Sequence, residues 1–166
     1  MVEIEPGLLD WDHLIDGEPQ PWGGVGEDLS WQPKTHAIAL LDDNGTVIAT
    51  GGAVIADVRA GEARFQVAGI GGVFVTRRAR GRGHTRPLME RLLQIAGRLG
   101  PERAMLLCLP SRIALYERFG FAELDGPIRA TQPGGPVTVP MRGMWRPLSP
   151  GIHWPPGEIE LLGEPL

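Results

Sequence analysis

Gly71-Gly72-Val73-Phe74-Val75-Thr76-Arg77-Arg78-Ala79-Arg80-Gly81-Arg82-Gly83-His84-Thr85 runs directly into Arg86-Pro87-Leu88-Met89-Glu90-Arg91-Leu92-Leu93-Gln94-Ile95-Ala96. An apolar, partly β-branched run meets a loop of arginines and glycines, and a helix-patterned segment follows at once. The order reads strand, loop, helix. Glycines let a backbone come close to a ligand, and successive N–H groups at a helix N-terminus point at it. Guanidinium groups neutralise its charge. In outline the stretch is an anion site.

Downstream, Leu88, Leu92, Ile95, Ala96 and Leu99 recur at helical spacing. Thr85 is placed to cap this helix, Pro87 suits its first turn, and Gly100-Pro101 ends it. The run from Arg103 to Leu109 is apolar without alternation, as in a strand buried on both faces. Strand, helix, strand makes a βαβ unit with parallel neighbours. A second, shorter helix follows from Pro110-Ser111 to Arg118, with Ser111 as its cap and Gly120 closing it. Phe121 to Leu124 returns as a strand, a loop spans Gly126 to Pro136, and Val137 to Met144 completes the sheet.

Upstream, His36 to Leu41 and Thr46 to Thr50 flank the turn Asp42-Asp43-Asn44-Gly45. Gly51-Gly52 marks a bulge before Ala53 to Val58, and Arg59 to Glu62 turns the chain into a strand from Ala63 to Val75. This is an antiparallel meander. Before it, Leu8, Leu9, Trp11, His13, Leu14 and Ile15 suit one short helix, and Pro19 to Gly26 suits a loop. Trp11, Trp22 and Trp31 pack this segment onto the domain or line a substrate wall, with Glu27 and Asp28 as its carboxylates.

A chain of 166 residues fits one domain with a full core. Its formal net charge of -4 speaks against nucleic acid as a partner. Basicity is local: no acid stands between Arg64 and Glu90, which suits a small polyanion. The lone Cys108 excludes an internal disulfide and fits a cytoplasmic location. No signal peptide or membrane-spanning run is read, no metal is expected, and oligomeric state is left open, a homodimer included.

Arg78-x-x-Gly81-x-Gly83 after a strand, then helix, apolar strand and Ala114-Leu115-Tyr116-Glu117-Arg118-Phe119-Gly120-Phe121, resembles the Gcn5-related N-acetyltransferase (GNAT) superfamily. The resemblance covers about Gln66 to Leu124. It implies an α/β (α+β) domain over residues 1–166 with a mixed, mostly antiparallel sheet, carrying a proline-rich tail from about 148. It implies acetyl-coenzyme A as cosubstrate, in a gap where the strands Val67 to Val75 and Arg103 to Leu109 splay. Val73, Phe74 and Val75 would flank the pantetheine arm, and Arg78, Arg80, Gly81, Arg82, Gly83, His84 and Thr85 would hold the pyrophosphate. Tyr116, the one tyrosine, would protonate the leaving thiolate.

Other phosphate loops fit less well: Gly-Lys-Ser and Gly-Lys-Thr are absent, and Arg86 stands where a dinucleotide fingerprint needs its third glycine. Many GNAT members carry an acid on the strand before the loop, and Ala68 to Val75 has none. Glu27, Asp28, Trp31 and His36 are the candidates on the acceptor side. The end of the chain, Trp154-Pro155-Pro156-Gly157-Glu158-Ile159 to Leu166, is similar to nodulation N-acyltransferases. Trp31 and His36 resemble those of aminoglycoside 2′-N-acetyltransferases. Both resemblances imply transfer to a primary amine of a small, sugar-like molecule. Transfer of a longer acyl chain and a non-catalytic coenzyme A sensor are the alternatives.

Overall fold

The structure, a computed structural model, describes residues 1–5, 7, 14 and 24–166. The short helix expected around Leu8 to Ile15 lies outside the described residues, apart from Leu14, which is buried.

The strands are β1 (Val2–Ile4), β2 (His36–Leu41), β3 (Val47–Ala60), β4 (Ala63–Val75), β5 (Arg103–Cys108), β6 (Ala122–Glu123), β7 (Ile128–Gln132), β8 (Gly135–Thr138), β9 (Arg142–Pro147) and β10 (Ile159–Leu161). Among the described residues they are joined by α1 (Thr85–Ala96) and α2 (Ile113–Glu117). The strands form one mixed sheet in the order β6-β9-β5-β4-β3-β10-β7-β8, and β2 joins β1 to the first half of β3. Among the described strands, only β4–β5 and β10–β7 pair in parallel. The expected βαβ unit is therefore β4-α1-β5.

Local chemistry explains these elements. Asp42 Oδ1 accepts the N–H groups of Asn44 and Thr46, which closes the β2–β3 turn. The β3–β4 register shifts between Thr50 and Gly52, so the expected bulge lies inside one long strand rather than between two. Helix α1 turns Leu88, Met89, Leu92, Ile95 and Ala96 into the core, at about 1.5–3 kcal/mol for each large side chain.

Two apolar clusters sit on opposite faces of the sheet. The face under α1 and α2 gathers Ile38, Ile70, Leu88, Leu92, Leu106 and Met144. The other gathers Val58, Val67, Met105, Ile128, Ile159 and Leu161, and no helix covers it among the described residues. The chain closes it instead by curling: a Cβ on Gly143 of β9 would stand 2.7 Å from Ile128 Cδ1 of β7.

Several expectations need correction. Helix α1 starts at Thr85 itself and ends at Ala96, and no side chain caps it. Pro110–Arg112 is a 3₁₀ turn, with Leu109 rather than Ser111 at its cap position. The region from Gly126 to Pro136, expected as loop, contains β7 and opens the β7–β8 hairpin. Part of the tail is a sheet strand, for β10 lies between β3 and β7. Trp154 packs edge-on to Phe65 at 5.2 Å and against Trp145 at 5.5 Å, which fixes the approach to β10. No helix among the described residues is long and apolar enough to cross a membrane.

Candidate functional site

β4 stays paired with β3 up to Val75, but its pairing with β5 ends at Ile70, opposite Leu106. β5 continues to Cys108 against β9 on its far side. From Gly71 onward the two parallel strands part. One edge of β4, Gly71 to Val75, is thereby left without a strand partner among the described residues. Phe74 is buried, whereas Val73 and Val75 are half-buried along this edge.

At the end of β4 the chain makes a 3₁₀ turn, Arg77–Ala79, and enters the glycine loop. Gly81 and Gly83 have φ of 75° and 81°, and a Cβ on either would meet nothing within 4 Å. Backbone conformation, not space, demands glycine there. The result is an array of amides. Among the described residues no backbone carbonyl takes the N–H groups of Gly81, Arg82, Gly83, His84 or Thr85. They precede or open α1, where the helix dipole adds positive potential. Arg77, Arg78, Arg82 and Arg86 are exposed and form no ion pair among the described residues. Arg80 is different: its Nε donates to Val75 O at 3.0 Å and its guanidinium lies 5.5 Å from the Phe74 ring, bracing the loop against β4. His84 occupies the cap position of α1 and is half-buried.

Tyr116 follows β5 by way of the turn Pro110–Arg112 and lies in helix α2. Its ring is 8% exposed and lies edge-on to Phe121 at 6.3 Å. Burial, with Cys108 adding to it and Arg112 opposing, pushes its pKa up to about 12. Such a phenol holds its proton at neutral pH, so it can donate but not act as a base. Burial, then Glu123, raises the Cys108 thiol to about 11. A thiol that stays protonated is a poor nucleophile, so the arrangement favours direct transfer over an acyl-cysteine intermediate.

On the opposite face from α1, three glycines form a trench that ends where the gap begins. Gly52 and Gly71 are cross-strand partners, and Gly69 lies two residues before Gly71. A Cβ on Gly52 would be 2.7 Å from Lys34 Cγ, and one on Gly71 would be 2.7 Å from Lys34 Cε and 3.1 Å from the Leu166 carbonyl carbon. The side chain of Leu166 lies against Gly69. The trench thus holds the stem of Lys34 and the backbone and side chain of Leu166. Gln32 ties the two together: its N–H donates to Pro165 O at 2.8 Å, and its carbonyl accepts from Lys34 Nζ at 2.8 Å. Sequence reasoning overlooked Lys34. A signal existed, since it is the one lysine among 16 Lys and Arg residues.

The remaining candidates are not gathered at one point. His36 opens β2, exposed, with Nδ1 3.0 Å from Thr35 Oγ1. Trp31 Nε1 donates to Gly26 O at 3.0 Å. Glu27 and Asp28 are exposed, in a segment that Ser30 ties to Gln132 of β7 through two hydrogen bonds. Two surface concavities, of about 360 Å³ beside Pro110 and Met141 and about 290 Å³ beside Arg129 and Glu158, are lined by none of the residues from Gly71 to Thr85. Strand geometry, not cavity volume, locates this site.

Parted parallel strands, a glycine loop of free amides at a helix N-terminus, and a buried phenol on the next helix define an acyltransferase architecture. A family model described as an acetyltransferase (GNAT) domain matches residues 24–124, and the chain belongs to that family of acyl-coenzyme A-dependent N-acetyltransferases. Solved structures agree in fold. A GNAT family N-acetyltransferase from Escherichia coli, in complex with CoA, is 24% identical over 78% of this chain and 68% of its own, with a TM-score of 0.53. A phosphinothricin acetyltransferase from Sinorhizobium meliloti, in complex with AcCoA, is 25% identical over 74% of this chain and 66% of its own, with a TM-score of 0.51. A Klebsiella pneumoniae protein assigned as an acyl-CoA N-acyltransferase is 21% identical over 89% and 96% of the two chains, with a TM-score of 0.60. No curated protein matches the chain.

Proposed function

We propose that residues 1–166 act as one domain that transfers an acetyl group from acetyl-coenzyme A to a primary amine of a small molecule, an amino sugar or aminoglycoside. The observation that carries this reading is the gap opening at Gly71 beside free amides from Gly81 to Thr85. A pyrophosphate needs convergent donors, which these amides supply, with Arg78 and Arg82 screening its charge. The unpaired edge of β4 at Val73 and Val75 offers backbone groups to the amides of a pantetheine arm. The thioester then lies near Gly71, with Tyr116 on the β5 side.

A neutral acceptor amine attacks the thioester carbonyl, the C–N bond forms, and the C–S bond breaks. Tyr116 donates its proton to the departing sulfur, and the phenolate it leaves recovers a proton from the ammonium nitrogen of the new C–N bond, so that the net transfer runs from amine to thiol and the phenol is restored. The donor arm occupies the gap, so the acceptor approaches at the Gly71 end of the glycine trench, whose floor Lys34 and Leu166 fill. Glu27, Asp28, Trp31 and His36 lie on the chain segment leading to that trench and are the residues we assign to acceptor binding. The single buried thiol suits the reducing cytoplasm.

Thiol release from acetyl-coenzyme A, measured across aminoglycosides, amino sugars, polyamines and peptide N-termini, tests the proposal. Turnover with the sugar amines above the others is expected. Binding of coenzyme A without release with any amine would leave a sensor module instead. Release only with longer acyl donors would reassign the donor.

A further inference from the structure

The chain places arginine at every basic position but one. The exception is drawn inward. The stem of Lys34 crosses β3 over Gly52 and ends over Gly71, and those glycines are register partners. Gly71 is also the first residue of β4 beyond its last pair with β5. The side chain therefore spans from the segment before β2 to the lip of the gap, on the face it shares with Leu166. A side chain on Gly52 or Gly71 would block that path.

We propose that Lys34 is a self-acylation site, its Nζ taking the acyl group from an acyl-coenzyme A bound in the gap between β4 and β5. The inference rests on the donor reading given above and extends it to the protein's own amine. Nζ now donates to Gln32 O at 2.8 Å, and rotation about the last side-chain torsions exchanges that bond for the gap. Burial lowers its pKa to about 8, so a sizeable neutral fraction exists near pH 8. An arginine could not substitute, because its guanidinium never deprotonates at working pH.

The step balances without another reactant. The Nζ lone pair attacks the thioester carbonyl carbon, an amide C–N bond forms, the C–S bond breaks, and the proton lost by nitrogen passes to the leaving sulfur. The products are acyl-Lys34 and free coenzyme A. The modified side chain loses its charge and carries an acyl group over Gly71, where it obstructs the acceptor's approach.

The test is to incubate the full chain with acetyl-coenzyme A and no acceptor, then measure intact mass and map the peptide that holds Lys34. Calorimetric binding of acetyl-coenzyme A is recorded on the same sample. The expected result is one acetyl group on Lys34, suppressed by excess desulfo-coenzyme A and absent from Lys34→Arg. The chain has no other lysine, so the mapping is unambiguous in the unmodified protein even if the variant misfolds. Binding without acetyl on Lys34 overturns the inference alone. Acetylation at an undiminished rate under desulfo-coenzyme A is solution chemistry and also overturns it. Failure to bind acetyl-coenzyme A overturns the donor reading, and the inference with it.

Discussion

Tyr116 is buried and Lys34 half-buried, and burial moves them in opposite senses because one is neutral when protonated and the other charged. Tyr116 keeps its proton to about 12 and is available as a donor across the useful pH range. Tyr116→Phe should lower turnover by about 10²-fold or more, with the acetyl-coenzyme A KM within about twofold, read by thiol release. Unchanged turnover would assign the ring to packing against Phe121.

Lys34 makes a measurable contribution to stability against pH. Unfolded, its amine titrates at the ordinary value of 10.5, and folded at about 8. Between those values the unfolded chain binds more protons, so stability rises as pH climbs from 8 to 10.5. Below pH 8 the buried charge costs on the order of 3 kcal/mol, less whatever water relieves. Cys108 and Tyr116 act oppositely at high pH, since burial raises both. The comparison is therefore with Lys34→Met, which keeps those groups and lacks the amine. Relative to that variant the protein should gain stability between pH 8 and 10.5, measured by urea unfolding. A flat difference would mean that the amine is solvated.

At the scale of elements, the β4-loop-α1-β5 unit was the most legible part of the chain. Its signals are local: an apolar run, glycines with one role each, and the spacing of Leu88, Leu92 and Ile95. The loop glycines allow a clean separation of binding from folding. Gly83→Ala places an L-residue at φ 81° with no clash within 4 Å. The strain, about 1 kcal/mol, should be relieved by turning amides away from the ligand. The coenzyme A dissociation constant should rise about tenfold or more while the melting temperature moves by only a few degrees, read by calorimetry and thermal scan. An unaltered dissociation constant would remove the loop from the site. Helix ends were less legible, because no cap side chain was there to be read: His84 and Leu109 occupy cap positions without bonding.

For the molecule as a whole, the second core could not be read from the sequence. Its members come from β3, β4, β5, β7 and β10, brought together by curling rather than by any local period. Ile159-Glu160-Leu161 has three residues of pattern, set among prolines and glycines, and its partners Val58 to Ala60 lie about a hundred positions away. The acceptor-side residues share that difficulty. Lys34 and Leu166 meet over Gly71 only because the tail has been threaded into the sheet. Removal of residues 159–166 should abolish cooperative unfolding rather than merely weaken acceptor binding, as circular dichroism melting would show. A truncated protein that still melts cooperatively would make β10 dispensable.

The place of β10 also fixes an order of events. Among the described strands, the β7–β8 hairpin joins the sheet through β10 alone. During synthesis the hairpin emerges well before the strand that gives it an edge, and contacts this distant in sequence form slowly. The nascent chain therefore carries a finished acyl-donor half beside an unclaimed hairpin until Leu161 arrives. Pulse-labelled hydrogen exchange during refolding should protect the amides of Ala68 to Ile70 first and those of Arg129 to Thr131 last. If both gain protection together, the sheet assembles in one step.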